Sequence, residues 1–86
     1  MSNYIVAGVS YRTIQPNERT VHLLYNDTPV AVAITELDGN FVTFTSLLNP
    51  HYTKLYSVEA LHYRGTTIEH RLVLWFASQH DIEEVA

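Results

Sequence analysis

The dipeptide Asp38-Gly39 stands between two runs of strand-forming residues, VAVAITEL at 30–37 and NFVTFTSLL at 40–48. Glycine readily takes the positive φ that a tight hairpin turn requires, so this stretch is expected to fold back on itself as an antiparallel pair. Similar punctuation recurs upstream. Residues 4–12 (YIVAGVSYR) alternate with a period of two, Gly8 reading as a bulge or close-packing point. Pro16-Asn17 ends that run, residues 20–25 (TVHLLY) make a second strand, and Asn26-Asp27-Thr28-Pro29 turns the chain into 30–37. The spacing predicts an antiparallel meander of three to four strands.

Its faces differ. Val30, Val32 and Ile34 project to one side, and Ala31, Ala33 and Thr35 to the other. Across the turn Val42 and Phe44 are large, while Thr43 and Thr45 are small and polar. One face is expected to pack on a helical layer, and the other, small and Thr-rich, to meet water.

Asn49-Pro50 has the form of a helix start, with Asn as N-cap and Pro in the first helical position. Beyond it Val58, Leu61, Gly65, Ile68, Leu72, Trp75 and Gln79 recur every three or four residues, the stripe of an amphipathic helix. Thr66-x-x-Glu69 reads as a capping box that restarts the helix after Gly65. A hairpin pairing 57–64 with 67–77 is the competing reading, because Tyr, His, Thr and Val around that glycine are poor helix formers. The phase of the stripe, unbroken across Gly65, favours helix. The expected fold is α+β, one domain over residues 1–86. It is an antiparallel meander of three to four strands, packed on one face by a C-terminal helical segment.

The run LVLWF at 72–76 then divides. At ~100° per residue Leu61, Leu72, Trp75 and Gln79 cluster about Ile68, with Val58 and Phe76 beside them. Leu74 falls nearly opposite, on the same side as Tyr56, Tyr63 and His70. Scattered apolar residues are ordinary on a surface. A charge-poor, Tyr-rich patch is more typical of an interface core, so Tyr56, Tyr63, His70 and Leu74 are the expected protein-interface residues.

Composition narrows the function classes. The 86-residue chain has no cysteine, which removes disulfides and thiolate zinc sites together. Small domains without those devices gain burial by association, which points to a homodimer. The formal charge is −4, and the five fixed cations, Lys54, Arg12, Arg19, Arg64 and Arg71, are scattered. Nucleic-acid binding needs a positive footprint, and none is present. Three of the nine acids, Asp81, Glu83 and Glu84, sit together in the tail and the others are dispersed, which disfavours acidic mimicry of a nucleic acid. No basic, apolar leader opens the sequence, and no run approaches the ~18 apolar residues of a membrane span. With the absence of cysteine this points to the cytoplasm.

No constellation carries chemistry. His22, His51, His62, His70 and His80 include no pair at the three- or four-residue spacing of a helical metal site. Ser10, Ser46, Ser57 and Ser78 lack a nucleophile-elbow context, and Gly8, Gly39 and Gly65 make no phosphate loop. Glu36 and Asp38 lie at a hairpin end, and a domain this small has little volume for a pocket of ~300 Å³. No catalytic residue and no cofactor are expected. The expectation is a non-enzymatic protein-interaction module, a small inhibitor or adaptor that occludes a larger protein through its outer helical face or an uncovered sheet edge. Small acidic proteins of phages and mobile elements work in this way, an analogy resting on size and composition alone. The alternative is a small-ligand or metal-binding domain using the Tyr/His-rich face.

Overall fold

The computed structural model describes residues 2–79. Its fold is α+β. Six strands, β1 (Ser2–Val6), β2 (Val9–Asn17), β3 (Thr20–Tyr25), β4 (Thr28–Thr35), β5 (Phe41–Ser46) and β6 (Thr53–Ser57), pair antiparallel in chain order. Two helices, α1 (Val58–Tyr63) and α2 (Ile68–Gln79), follow, and α2 lies across β4, β1 and β3. No helix among the described residues is long and apolar enough to cross a membrane.

The sheet is larger than the three to four strands expected, for two local reasons. The run 4–12 is a hairpin rather than one strand: Ala7 and Gly8 form its turn at φ 52° and 80°, and Tyr4 pairs with Tyr11. The two-residue turn shifts the phase by one, so Tyr4, Val6, Val9 and Tyr11 share the core face, and because residues 4–12 are apolar at both parities the shift leaves no mark in the sequence. The second extra strand is β6. Asn49-Pro50 turns the chain between β5 and β6 and starts no helix. The Asn49 side chain accepts a hydrogen bond from the His51 N–H, and its carbonyl accepts one from the Tyr52 N–H. The short polar side chain of an N-cap closes a turn equally well, and here the turn uses it. Pro16-Asn17 likewise belongs to the end of β2, where the ladder slips out of register, and Glu18-Arg19 makes the turn. Pro16 has no N–H to give the ladder, which fits an irregularity at that point.

The C-terminal segment is helical, but in two pieces. Ser57 caps α1, its hydroxyl accepting from the Ala60 N–H. Gly65, at φ 70°, ends it: the Gly65 N–H bonds the His62 carbonyl and the Thr66 N–H bonds the Leu61 carbonyl. This paired closure needs a left-handed residue and satisfies two carbonyls that the helix end would leave open. The apolar stripe keeps its phase across Gly65 while the helix itself stops. Thr67 rather than Thr66 caps α2, accepting from the His70 N–H at 3.0 Å. Glu69, the expected partner of a capping box, bonds the sheet instead.

One layer of core lies between sheet and helices. Tyr11, Val21, Leu23, Ala31, Ala33, Val42 and Phe44 point to it from the strands. Leu61, Leu72, Val73, Trp75 and Phe76 meet them from the helices. On β4 the small residues face the helices, and Val32 and Ile34 face outwards. The register supplies the reason. Ala33 sits opposite Phe44 and Ala31 opposite Ser46, leaving room for Trp75, whose ring is 5.8 Å from Phe44, and for Phe76, 6.0 Å from Tyr11. A larger residue at Ala31 or Ala33 would lift α2 off the sheet. Val30 still reaches the core, because the ladder slips between Leu23 and Leu24 and makes it the extra residue of a bulge.

Ala7 is exposed and holds a left-handed conformation that costs a residue with a Cβ about 1 kcal/mol. Ala7→Asn, which restores the Asn-Gly pair such turns favour, is expected to stabilise the fold by about 0.5–1 kcal/mol in urea denaturation.

Candidate functional site

Three consecutive residues in the first turn of α2 each reach a different strand. Glu69 accepts a hydrogen bond from the hydroxyl of Thr13 on β2 at 2.6 Å. His70 stacks on Tyr4 of β1, ring centres 5.5 Å apart and nearly coplanar. Arg71 donates to the Tyr56 hydroxyl of β6 at 3.3 Å and lies over its ring. Side chains spread ~100° apart around a helix, so one turn can hold both edges of the sheet and its interior. Thr13 is fully buried, and its hydroxyl ties the half-buried Glu69 carboxylate down at the helix N-terminus, where negative charge is favoured.

This arrangement separates the four residues expected to share one outer face. Tyr56 is a strand residue on the helix-covered side, its ring 4.8 Å from Phe44. Tyr63 ends α1 and is 92% exposed. His70 and Leu74, four apart on α2, do share a face, and Leu74 is half-buried. The shared face assumed one helix running from Tyr56 to Leu74, which β6 and the stop at Gly65 replace.

The structure leaves a different surface uncovered. The outward side of the sheet carries Ile14, His22, Val32, Thr45 and Thr53 in one row of paired residues, and Ile34, Thr43 and Leu55 in the next. Ile34, Phe41 and Leu55 are exposed at 47%, 40% and 55%. Among the outward strand positions Arg12 alone carries a fixed charge, and it is paired with Asp27 at 2.7 Å. This face was expected to be small and Thr-rich. The threonines come from β5 and β6, but β4 contributes its larger side chains. The available signal was that 30–37 is apolar at both parities, which a strand shows when neither face is fully wet.

A cleft of ≈ 440 Å³ opens on the helical side, where the β2–β3 turn meets the α1–α2 junction. Val21, Leu61 and Ile68 are apolar parts of its lining, and Arg19, His62 and Glu69 are polar ones. Little volume was expected for a pocket of ~300 Å³, and this open cleft exceeds it at the place where the helix splits at Gly65. The histidines are dispersed, His22 on the outward sheet face, His51 in the β5–β6 turn, His62 at the cleft and His70 on Tyr4. Among the described residues no three His, Cys, Asp or Glu side chains converge as a metal site would require. His80 and the acidic residues Asp81, Glu83 and Glu84 lie outside the described residues.

Removing the Thr13 hydroxyl should leave the Glu69 carboxylate half-buried without its donor. Thr13→Val is expected to cost about 1.5–3 kcal/mol in urea denaturation, and Glu69→Leu added to it should recover part of that loss. Additive losses would show that the pair is not coupled. Compared with protein families, with curated proteins and with solved structures, the chain matches none of them.

Proposed function

We propose that this chain is a non-enzymatic protein-interaction module of the cytoplasm, working as a homodimer whose subunits meet through the outward face of the sheet. The observation that carries this reading is the composition of that face: Ile14, Val32, Ile34, Phe41 and Leu55 among threonines, with one fixed charge already paired. A face that only met water would ordinarily carry Lys and Glu among its outward positions.

A second copy fits it better than a charged partner. Each chain carries a formal −4, so two copies can approach closely only through a surface free of unbalanced charge, and this face is one. Its size is adequate. Six strands about 4.8 Å apart, each offering five to six residues, present roughly 1,000 Å² in total from two copies once the pleat is counted, the lower bound for a specific interface. A two-fold axis would pack sheet on sheet, as in a β-sandwich, and each copy would gain the second core that one helical layer cannot give it.

Such a dimer turns both helical sides outwards. The exposed Tyr63 and the pair His70 and Leu74 then remain for a larger protein, which the dimer would occlude or position as an inhibitor or adaptor does. The small-ligand alternative draws on the cleft at the α1–α2 junction rather than on a Tyr/His-rich face.

Sedimentation of the wild type is expected to give twice the chain mass. Ile34→Glu places a charge among the exposed apolar residues of the face, in the row of Thr43 and Leu55, and should weaken the dimer by about 30-fold or more while circular dichroism stays unchanged. Leu74→Glu should leave the dimer intact and abolish capture of the protein partner. A monomeric wild type sinks the self-association reading, and dissociation by Leu74→Glu instead of Ile34→Glu moves the interface to the helices.

A further inference from the structure

The cleft at the α1–α2 junction contains two opposite fixed charges that do not neutralise each other. Arg19 is held in place from two directions: its Nε donates to the Thr35 carbonyl at 2.9 Å, and its own carbonyl accepts from the Thr35 N–H at 2.8 Å. The Nε bond fixes the guanidinium at the cleft wall and leaves its two terminal nitrogens without a partner among the described residues. Glu69 is held as firmly. One of its carboxylate oxygens takes the hydroxyl of the fully buried Thr13, and the other has no partner among the described residues. No ion pair joins Arg19 to Glu69, or to Glu18 beside it, among the described residues. Between them Val21, Val58, Leu61 and Ile68 supply an apolar lining, in a volume within the ~300–1,000 Å³ of small-molecule sites.

The second oxygen of Glu69 is open to the cleft, and a donor that carries charge would replace water there with a stronger, charge-assisted bond. The guanidinium offers its remaining edge to a carboxylate, for which its planar fork is suited. We infer that this cleft binds a small zwitterion with an apolar side chain, an α-amino acid of the leucine or phenylalanine type. Its ammonium group sits on Glu69, its carboxylate on Arg19, and its side chain on Val21, Leu61 and Ile68. The site lies on the helical side of the sheet and is independent of the outward face proposed for self-association.

The charges make the class testable, because each half of the head group can be deleted. Titration of the full chain with L-leucine, followed by amide chemical shifts, is expected to move Arg19, Thr66 and Glu69 with a Kd of order 1 mM. Isopentylamine, which lacks the carboxylate, and 4-methylpentanoate, which lacks the ammonium, should each bind at least about tenfold more weakly. Glu69→Gln keeps an acceptor for Thr13, so it should fold normally and lose the preference for leucine over 4-methylpentanoate. Arg19→Lys, tested beside it, keeps the positive charge but loses the fork, and should weaken leucine without changing isopentylamine. Three results overturn the inference: no shift at these residues up to about 20 mM leucine, an amine or acid that binds as well as leucine, or a Glu69→Gln variant, folded by circular dichroism, that retains the full preference.

Discussion

A six-stranded sheet has two faces, and the helices among the described residues cover one of them. The helices α1 and α2 amount to six and twelve residues, and they close the side on which Tyr11, Leu23, Val42 and Phe44 stand. Everything else follows from how that single layer is made tight. Fully buried groups are concentrated in it, including Phe44, Phe76, Leu23 and Leu72. Val32 and Ile34, of the same apolar type as the core residues, are left on the other side of the same strand. Burial per residue is the scarce quantity in a chain of this length, so an apolar face left open is a cost that association can offset.

The tightness of the closed side depends on small residues in its middle and on the anchoring of one helical turn. Ala31 and Ala33 let Trp75 and Phe76 descend between the larger side chains of the neighbouring strands. The first turn of α2 fixes the helix over β1, β2 and β6 through His70, Glu69 and Arg71. Three contacts of different chemistry, a stack, a charge-assisted hydrogen bond and a cation over a ring, determine both the tilt and the rotation of the helix. The consequence reaches beyond packing. Glu69, two residues after the Thr67 cap, stands one position short of the reciprocal place in a capping box and holds Thr13 instead, its second oxygen left at the cleft.

Much of this was legible in the residues, in proportion to how local its cause is. The hairpin at Asp38-Gly39, the turn at Asn26-Asp27 and the helical character of 68–79 rest on neighbours in sequence, and all three were predicted. The division of LVLWF followed from helical phase, with Leu72, Trp75 and Phe76 buried and Leu74 less so. The errors arose where one local signal serves two structures. Asn49 closes a turn with the side-chain bond that would cap a helix, and Ala7-Gly8 inverts the phase of a run that is apolar at both parities, which hides the turn. Which side of β4 meets the helices depends on register with β5 and on aromatic bulk more than forty residues away, and no window along the sequence contains that information. The candidate site inherits the same limit. Tyr56 was placed with Leu74 by extending a helix through residues that pair with β5, and the cleft is formed by segments as distant as Arg19 and Glu69.

The stop at Gly65 links these observations. Had α1 and α2 been one helix, the stripe of Val58, Leu61, Ile68 and Leu72 would have lain continuously on the sheet, and no opening would exist beside Arg19. Gly65 permits the break because its left-handed conformation satisfies the carbonyls of Leu61 and His62 that a severed helix would expose. The Cβ of any other residue there would meet nothing within 4 Å, so what the position requires is the backbone conformation and not space. A glycine chosen for conformation, at a point where the apolar phase argues for continuity, is a local rule set against a global pattern. Such conflicts persist in a fold when the irregularity has a use, and the use consistent with this geometry is the cleft itself.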